Sequence, residues 1–408
     1  MANARRSPST KRGAVTYEAL LRASASVFGQ HGFRQASVAE ICRRSRVANG
    51  TFYQYFPDKE HIFLKLMELM THQLQRRLRA DPTASALEQI QSMLKAHLDF
   101  ISSQTTLYRV FREAEFIHAE LPKQLYGQLA GSYERILERG TEQFRPIEPE
   151  AVAFALIGMA EFIALRYIFW GRGLPPNVWT TLRTLIAHGI HGDRPTAPAV
   201  PLPMAQEPIA QFPQTPKRTR TCLLEAAEAE FGEKGFYEAQ VVDITRRAGV
   251  AHGTFYTYFP SKEAIFVELV REINNQLRAR LRAAIAGLQD RRQIERAGFH
   301  AFFDFIKNRA QAYRIVREAE FVGSPENTVG RWYYERLAQG YAPALAKAMA
   351  AGHIQELDPE ALAYALMGIG HFIALRWVVW ESQAVPDSVF ASMMDFILHG
   401  LLPLDNGP

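Results

Sequence analysis

Hydrogen-bonding side chains and aromatic rings are concentrated in one short stretch of the sequence, residues 49–60. Amide, hydroxyl, phenol and ammonium groups follow one another there, in the order Asn49, Thr51, Tyr53, Gln54, Tyr55 and Lys59. Such groups can donate hydrogen bonds to phosphate oxygens and can pair with the polar edges of nucleic-acid bases. A second stretch presents similar chemistry about two hundred residues later, as His252, Thr254, Tyr256, Thr257, Tyr258 and Lys262.

The two stretches belong to an internal duplication. Windows 46–63 and 249–266 are identical at 13 of 18 positions. The similarity continues beyond them, because 108–116 returns as 313–321 and 162–166 returns as 372–376. The offset between the copies grows from 203 to 210 residues, which indicates short insertions in the second copy. Repetition on this scale points to one structural unit that is used twice.

Two short helices are predicted to position these side chains. Pro57 ends the helix that begins near residue 49, and Asp58 can cap the next one. Ser37 stands three residues before Glu40, which is the spacing of a capping box, and opens a helix over about 38–44. A three-residue turn, 45–47, separates this helix from the one over 49–56. This layout is typical of a helix-turn-helix.

The second helix of a helix-turn-helix enters the major groove of DNA and presents its first turns to the base edges. The side chains expected there are Asn49, Thr51 and Gln54 in the first copy and His252, Thr254 and Thr257 in the second. Gly50 and Gly253 lack a Cβ and would let the backbone approach DNA closely. The phenylalanines of the same helices are predicted to be core anchors, namely Phe52, Phe56, Phe255 and Phe259.

The residues around these helices resemble the DNA-binding domain of the TetR family of transcriptional repressors. The first copy carries Phe28, then Gly32-Phe33, then a Ser-Val-x-x-Ile segment over 37–41. The second copy carries Phe231 and Gly235-Phe236, and both copies continue with Val-Ala-x-Gly-Thr-Phe-Tyr. The resemblance is specific over about fifty residues per copy. It implies that DNA phosphates are held by Tyr53, Tyr55, Lys59, Tyr256, Tyr258 and Lys262.

Each copy departs from the family pattern at one position. The glycine of the helix-helix turn is Arg46 in the first copy, and an arginine held at positive φ costs roughly 1 kcal/mol. Arg46 would also place a cation beside the DNA phosphates. The second copy has Gln240 where the first has the capping residue Ser37, and glutamine caps a helix poorly.

The resemblance implies an all-α protein of two TetR-like units, each a three-helix DNA-binding domain followed by a helical ligand-binding and dimerisation domain. The expected segments are a basic flexible tail (1–13), a first DNA-binding domain (14–60), a first effector domain (61–192), a linker (193–216), a second DNA-binding domain (217–263) and a second effector domain (264–404). Seven of the 24 linker residues are proline, which is typical of an extended, semi-rigid segment.

Polar groups beside aromatic rings recur in both effector domains and are candidates for binding a ligand. They are Tyr108, Arg112 and Glu115 in the first copy and Tyr313, Arg317 and Glu320 in the second. A structural role is an open alternative, since Arg109 and Glu113 have the i,i+4 spacing of an ion pair within one helix. No metal or cofactor is expected.

Charge and composition fit a soluble DNA-binding protein. Residues 1–60 carry a net charge of +6, whereas residues 217–263 are neutral, so basic charge gathers on the first motif. The two cysteines, Cys42 and Cys222, form no metal-binding spacing, and a cytoplasmic location is expected. Two apolar stretches, 151–170 and 361–380, are long enough to span a bilayer. Charged or titratable residues interrupt both stretches, namely Glu161, Arg166, His371 and Arg376.

These observations favour a ligand-responsive transcriptional regulator, a repressor that leaves its DNA operator when a small, largely apolar effector binds. The alternative is an adaptor or ligand-binding protein whose second DNA-binding unit has lost its affinity for DNA. An enzyme is not expected, because the sequence has no phosphate loop and no nucleophile elbow. The two copies are expected to pair within the chain as a pseudo-dimer, and two chains could further share one operator.

Overall fold

The computed structural model describes residues 10–171, 173–191, 218–323 and 328–403, and within these ranges it is helical and contains no strand. The chain divides into two compact units, Met1–Ser132 and Tyr133–Pro408. This division does not follow the repeat, because the second unit holds the last helices of the first copy together with the whole second copy. The proline-rich linker, 193–216, lies outside the described residues.

Within the described residues the first copy forms nine α-helices, and the predicted helices 38–44 and 49–56 appear as α2 and α3 with each end within one residue of the prediction. They are α1 (Lys11–Gln35), α2 (Val38–Ser45), α3 (Asn49–Tyr55), α4 (Lys59–Arg77), α5 (Ala86–Ser103), α6 (Thr105–Glu113), α7 (Glu120–Arg139), α8 (Pro149–Ile163) and α9 (Pro176–His188). Residues 1–9 of the predicted basic tail, 1–13, lie outside the described residues, and α1 begins at Lys11. Thr10 makes this possible by accepting a hydrogen bond from the Gly13 N–H at 3.0 Å.

The second copy repeats the same succession of helices. They are α10 (Arg218–Lys234), α11 (Val241–Arg247), α12 (His252–Tyr258), α13 (Lys262–Ala284), α14 (Arg291–Asn308), α15 (Ala310–Glu318), α16 (Val329–Ala350), α17 (Pro359–Ile373) and α18 (Asp387–His399). Both α8 and α17 continue into a wider π-helical turn, Ala164–Phe169 and Ala374–Trp380 respectively. The sequence pattern predicted one regular helix in each place, since a π turn keeps the apolar composition of the helix it extends.

The predicted helix cap of the first copy and the predicted departures from the family pattern appear in the two helix-turn-helix domains. Ser37 caps α2 by accepting the Glu40 N–H at 3.2 Å, whereas Gln240 makes no side-chain cap on α11. Arg46 adopts left-handed geometry with φ 57°, and Gly249 has φ 67° at the equivalent position. Arginine therefore occupies a turn that favours glycine.

Helices α8 and α9 pack with α17 and α18 inside the second unit. The contacts are reciprocal, because Arg166 pairs with Glu360 at 2.9 Å and Arg376 pairs with Glu150 at 2.8 Å. Backbone hydrogen bonds between the two copies are reciprocal in the same way. The Ile190 N–H donates to the Ile397 carbonyl, and the Leu401 N–H donates to the Ile186 carbonyl, both at 2.9 Å.

One ion pair in this bundle has no counterpart at the equivalent positions of the other copy. The Arg145 guanidinium binds the Asp395 carboxylate through two hydrogen bonds of 3.1 Å. The equivalent positions carry Gln355 and Thr184, which cannot form an ion pair. The two sides of the bundle are therefore similar in backbone and different in side-chain chemistry.

Two helices are long and apolar enough to cross a membrane by length and composition, Pro149–Phe169 and Pro359–Trp380. In each, 83% of the most apolar window is buried within the fold. This burial is typical of core helices in a soluble protein.

Candidate DNA-binding surfaces and effector cavity

Helix α3 presents polar side chains outward and anchors itself with aromatic ones. Phe52 is fully buried and Phe56 is 5% exposed, so both are core residues as predicted. Asn49, Gly50 and Gln54 are exposed, Tyr53 is 45% exposed, and Thr51 and Tyr55 are half-buried. The residues predicted to read base edges thus share a helix whose opposite face packs in the core.

Helix α12 is built in the same way. Phe255 and Phe259 are buried, whereas the six predicted contact residues of this helix are exposed or half-buried, namely His252, Gly253, Thr254, Tyr256, Thr257 and Tyr258. The His252 and Tyr256 rings pack edge to face with their centroids 5.5 Å apart. The outward face of α12 therefore differs from that of α3 in shape as well as in residue type.

The two glycines of these helices are not required by the fold. A Cβ added to Gly50 or to Gly253 would meet no protein atom within 4 Å, and neither glycine has positive φ. Alanine is the better helix former by about 1 kcal/mol. The fold itself therefore offers no reason for glycine at either position, and close approach by an external molecule would supply one.

Lys59 has a structural environment that the sequence did not reveal. Its ammonium group donates to three backbone carbonyls at the end of α1, those of Phe33, Arg34 and Ala36, at 2.8, 3.3 and 3.0 Å. Lys262 repeats the arrangement with Phe236, Tyr237 and Ala239. An ammonium group has three protons, so each lysine uses its full donor capacity on the protein. Its predicted role in holding phosphate remains a prediction.

Basic side chains of the second helix-turn-helix are paired with carboxylates of the same domain. Arg247 binds Glu233 at 2.7 Å, and Lys234 and Arg246 bind Asp243 at 3.1 and 2.8 Å. In the first copy, Arg46 stands exposed in the turn before α3. Arg43 and Arg44 of the first motif are paired in turn with Glu40, at 3.6 and 3.3 Å, so the difference in positive charge between the motifs rests on their net charges of +6 and zero.

A buried glutamate joins each effector helix to its DNA-binding domain. In the first unit, Glu113 of α6 accepts the Phe33 N–H at 2.9 Å, beside Gly32 with φ 71°. In the second unit, Glu318 of α15 accepts the Phe236 N–H at 2.9 Å, beside Gly235 with φ 82°. Burial raises the pKa of Glu113. Both glutamates recur with the Gly-Phe step, and this recurrence is the signal that could have revealed their role.

The tyrosines predicted to bind a ligand differ between the copies. Tyr108 is fully buried, and its hydroxyl lies 3.0 Å from Nε2 of His97 on α5. Tyr313 and Nδ1 of His371 on α17 share a hydrogen bond of 2.6 Å. Of the predicted ligand residues in the second copy, Tyr313 lines a cavity, whereas Arg317 and Glu320 do not. Arg112 and Glu115 are half-buried in the first unit.

The cavity beside Tyr313 has a volume of about 340 Å³ and lies among α13, α14, α16 and α17. Volumes of this size accommodate small-molecule ligands. Its wall is mostly aromatic and aliphatic, with Phe162, Phe299, Phe302, Tyr333, Tyr334 and Leu366 among the lining residues. Sequence reasoning missed these residues, because each one reads as ordinary core in its own helix.

Arginine side chains are also among the residues that line this cavity. Arg278 and Arg282 of α13 line it, and Arg282 is exposed. The pKa of Arg278 is lowered by burial and further by the neighbouring charges of Arg336 and Arg282. A cluster of like charges next to an apolar cavity can be relieved by an anion.

Comparison with known proteins identifies the class of protein. The model for "Bacterial regulatory proteins, tetR family" matches residues 20–66 and again residues 223–269. The HTH-type transcriptional activator FasR of Mycolicibacterium smegmatis is 35% identical over 104 residues, which are 26% of this chain and 48% of that protein. The uncharacterized HTH-type transcriptional regulator YdgC of Bacillus subtilis is 28% identical over 46% of this chain and 95% of its own length.

A solved structure also matches part of the chain. The fatty acid degradation regulator FadR from Bacillus halodurans has a TM-score of 0.42 and 19% identity, and the match covers 45% of this chain and 97% of that one. The chain thus spans about half the length of FasR and nearly all of the shorter relatives. The two matched segments, 20–66 and 223–269, therefore belong to the tetR family of bacterial regulatory proteins, and they occur in tandem within this chain.

Proposed function

We propose that the protein is a cytoplasmic repressor that binds an operator through α3 and α12 of one chain and releases it when an effector fills the 340 Å³ cavity. The observation that carries the proposal is the double attachment of α15. This helix supplies Tyr313 to the cavity wall, and its Glu318 binds the backbone after α10. A ligand that displaces the wall would therefore act directly on the second DNA-binding domain.

The chemistry of the cavity supports an effector with an apolar body and an anionic end. The aromatic wall would bury the apolar part, and the anion would lie beside Arg278 and Arg282. We expect dodecanoate and dodecanoyl-CoA to bind, and dodecylamine to bind much more weakly because its charge is repelled.

The reciprocal bonds of α8 and α9 with α17 and α18 support pairing of the two copies within one chain. Ordinary members of the family assemble two identical chains, and a single recognition helix gives little affinity. Light scattering of the free protein tests this proposal, since a mass near 46 kDa is expected for intrachain pairing. A stable species of twice that mass would support pairing between chains.

A consequence of intrachain pairing is an operator with unequal halves. Asn49 and Gln54 of α3 differ from His252 and Thr257 of α12, so the two recognition helices would favour different bases. DNA footprinting on the region upstream of the gene is expected to reveal an imperfect palindrome.

Fluorescence anisotropy with the upstream DNA tests the regulatory proposal. Saturating dodecanoyl-CoA is expected to weaken DNA binding at least tenfold, which corresponds to roughly 1.4 kcal/mol of coupling. A reporter gene distinguishes repression from activation, and activation is the second candidate because the relative FasR is named an activator. DNA binding that survives loss of α12 unchanged would favour the alternative in which the second DNA-binding unit is inactive.

A further inference from the structure

We infer that each chain takes a single effector molecule, in the second copy, and that the first copy serves as a DNA anchor without an effector site of its own. This inference rests on the proposed function of the cavity. It is carried by the residues that replace the cavity wall at the equivalent positions of the first copy.

Helices α5 and α14 have the same length and the same place in the repeat, so their residues correspond one to one. Gly298 of α14 lines the cavity, and a Cβ added there would meet no atom within 4 Å. The first copy has Met93 at this position, and that side chain is 2% exposed. A flexible methionine therefore fills the space that the second copy leaves open.

Two further cavity positions of α14 are likewise replaced by apolar residues in α5. Arg291 and Glu295, which border the cavity and bind each other at 2.6 Å, correspond to Ala86 and Ile90 in α5. Ile90 is fully buried. At these three positions the first copy therefore has apolar side chains where the second has a glycine and an ion pair beside the cavity.

The second copy also has an ion pair between effector domain and DNA-binding domain that the first copy lacks. Arg309, at the start of α15, binds Glu228 of α10 through a buried pair with contacts of 2.6 and 2.7 Å. The equivalent residues of the first copy are Gln104 and Ala25, which cannot form this pair. The half with the cavity therefore has an additional buried contact through which a movement of α15 can reach α10.

The two copies also differ in the net charge of their DNA-binding domains. The domain expected to be controlled by the effector, 217–263, is neutral, whereas residues 1–60 carry a net charge of +6. A basic first copy can hold DNA by phosphate contacts, while occupancy of the second copy changes the fit of α12. The ligand would then weaken binding to the complete operator more than binding to the half-site read by α3.

Titration calorimetry and native mass spectrometry with dodecanoyl-CoA test the inference on the full chain. One molecule is expected per 46.2 kDa chain. The variant Gly298→Met, which installs the residue of the first copy, is expected to reduce affinity at least a hundredfold. Gly127→Met is the matched control, because Gly127 is exposed on α7 and an added Cβ there also meets no atom within 4 Å. This control should bind as the wild type does.

The outcomes separate the inference from the proposed function. Two molecules per chain, or unchanged binding by a folded Gly298→Met variant, would overturn the inference even if DNA is released. One molecule per chain that leaves DNA affinity unchanged would confirm the single site and overturn the proposed regulation. Failure of dodecanoyl-CoA, dodecanoate and 1-anilinonaphthalene-8-sulfonate to bind at all would overturn both. Thermal unfolding of each variant identifies a loss of binding that comes from misfolding.

Discussion

Gly158 of α8 and Gly368 of α17 lie backbone to backbone at equivalent positions of the two copies. A Cβ added to either glycine would overlap the carbonyl oxygen of the other. The close approach lets the two helices share their apolar faces, and it requires glycine on both sides because the obstacle is backbone that cannot rotate away. The pair marks the centre of the packing between the copies.

Gly158→Leu is expected to destabilise the second unit by at least about 3 kcal/mol, since overpacking against rigid backbone forces the helices apart. Denaturant unfolding measures the change. Gly127→Leu adds the same side chain to the exposed face of α7 and should alter the unfolding free energy by less than about 1 kcal/mol. Equal stability of the two variants would contradict the close packing.

Gly50→Ala is expected to separate DNA binding from folding. The unfolding free energy should stay the same or rise by up to about 1 kcal/mol, because the added methyl meets no protein atom. DNA affinity should fall roughly tenfold if the backbone of α3 lies against DNA. Anisotropy and thermal unfolding on the same preparation give both values. Unchanged DNA affinity would place the contact surface elsewhere on α3.

Lys59→Met and Arg46→Gly are expected to have opposite effects on the free energy of unfolding. Loss of the three carbonyl contacts of Lys59 should lower the unfolding free energy by about 1–3 kcal/mol and leave the salt dependence of DNA binding unchanged. Removal of Arg46 should relieve the strain of its positive φ and raise stability by about 1 kcal/mol. It should also reduce the slope of log affinity against log salt by about 0.9. A reduced slope in Lys59→Met would instead establish phosphate binding by Lys59.

His97 is expected to make the first unit sensitive to acid. Complete burial lowers its pKa from 6.5 to about 4, so the folded state holds the neutral ring more firmly than the unfolded state does. Its contribution is fully present above pH 6.5 and is lost as the pH falls towards 4, by about 3 kcal/mol in total.

The variant His97→Phe carries the residue of the second copy, Phe302, and should lose this part of the pH dependence. Unfolding free energies of wild type and variant between pH 4 and 7.5 give the difference directly. His72→Phe is the control, since His72 is exposed on α4. A constant difference between wild type and His97→Phe across this range would contradict the prediction.

The short helices and the outward placement of the expected contact residues could be predicted from the sequence because their signals are local. Pro57, Asp58 and Ser37 set helix ends within a few residues, and the strained turn at Arg46 follows from the glycine that replaces it in the other copy. The role of Glu113 and the carbonyl contacts of Lys59 could not be predicted in this way. Their partners lie 80 and 26 residues away, and no local pattern specifies which backbone groups they meet.

The proposed effector cavity could not be predicted from the sequence for a different reason. A cavity is space that side chains leave open, and its wall comes from six helices, α8 and α13 to α17. Only comparison of the copies indicates it, through Gly298 opposite Met93. Of the predicted ligand residues, Tyr313 lines the wall and Arg317 is buried away from it.

The ion pair between Arg145 and Asp395, which has no counterpart in the other copy, has a consequence for how the gene can change. In an assembly of identical chains every substitution appears twice, so a favourable change on one side must also be tolerated on the other. A gene that encodes both sides can change one codon and alter one surface only. The same asymmetry would hinder exchange of halves with related regulators in the same cell, because a foreign subunit would have to match two dissimilar faces that are already joined to each other.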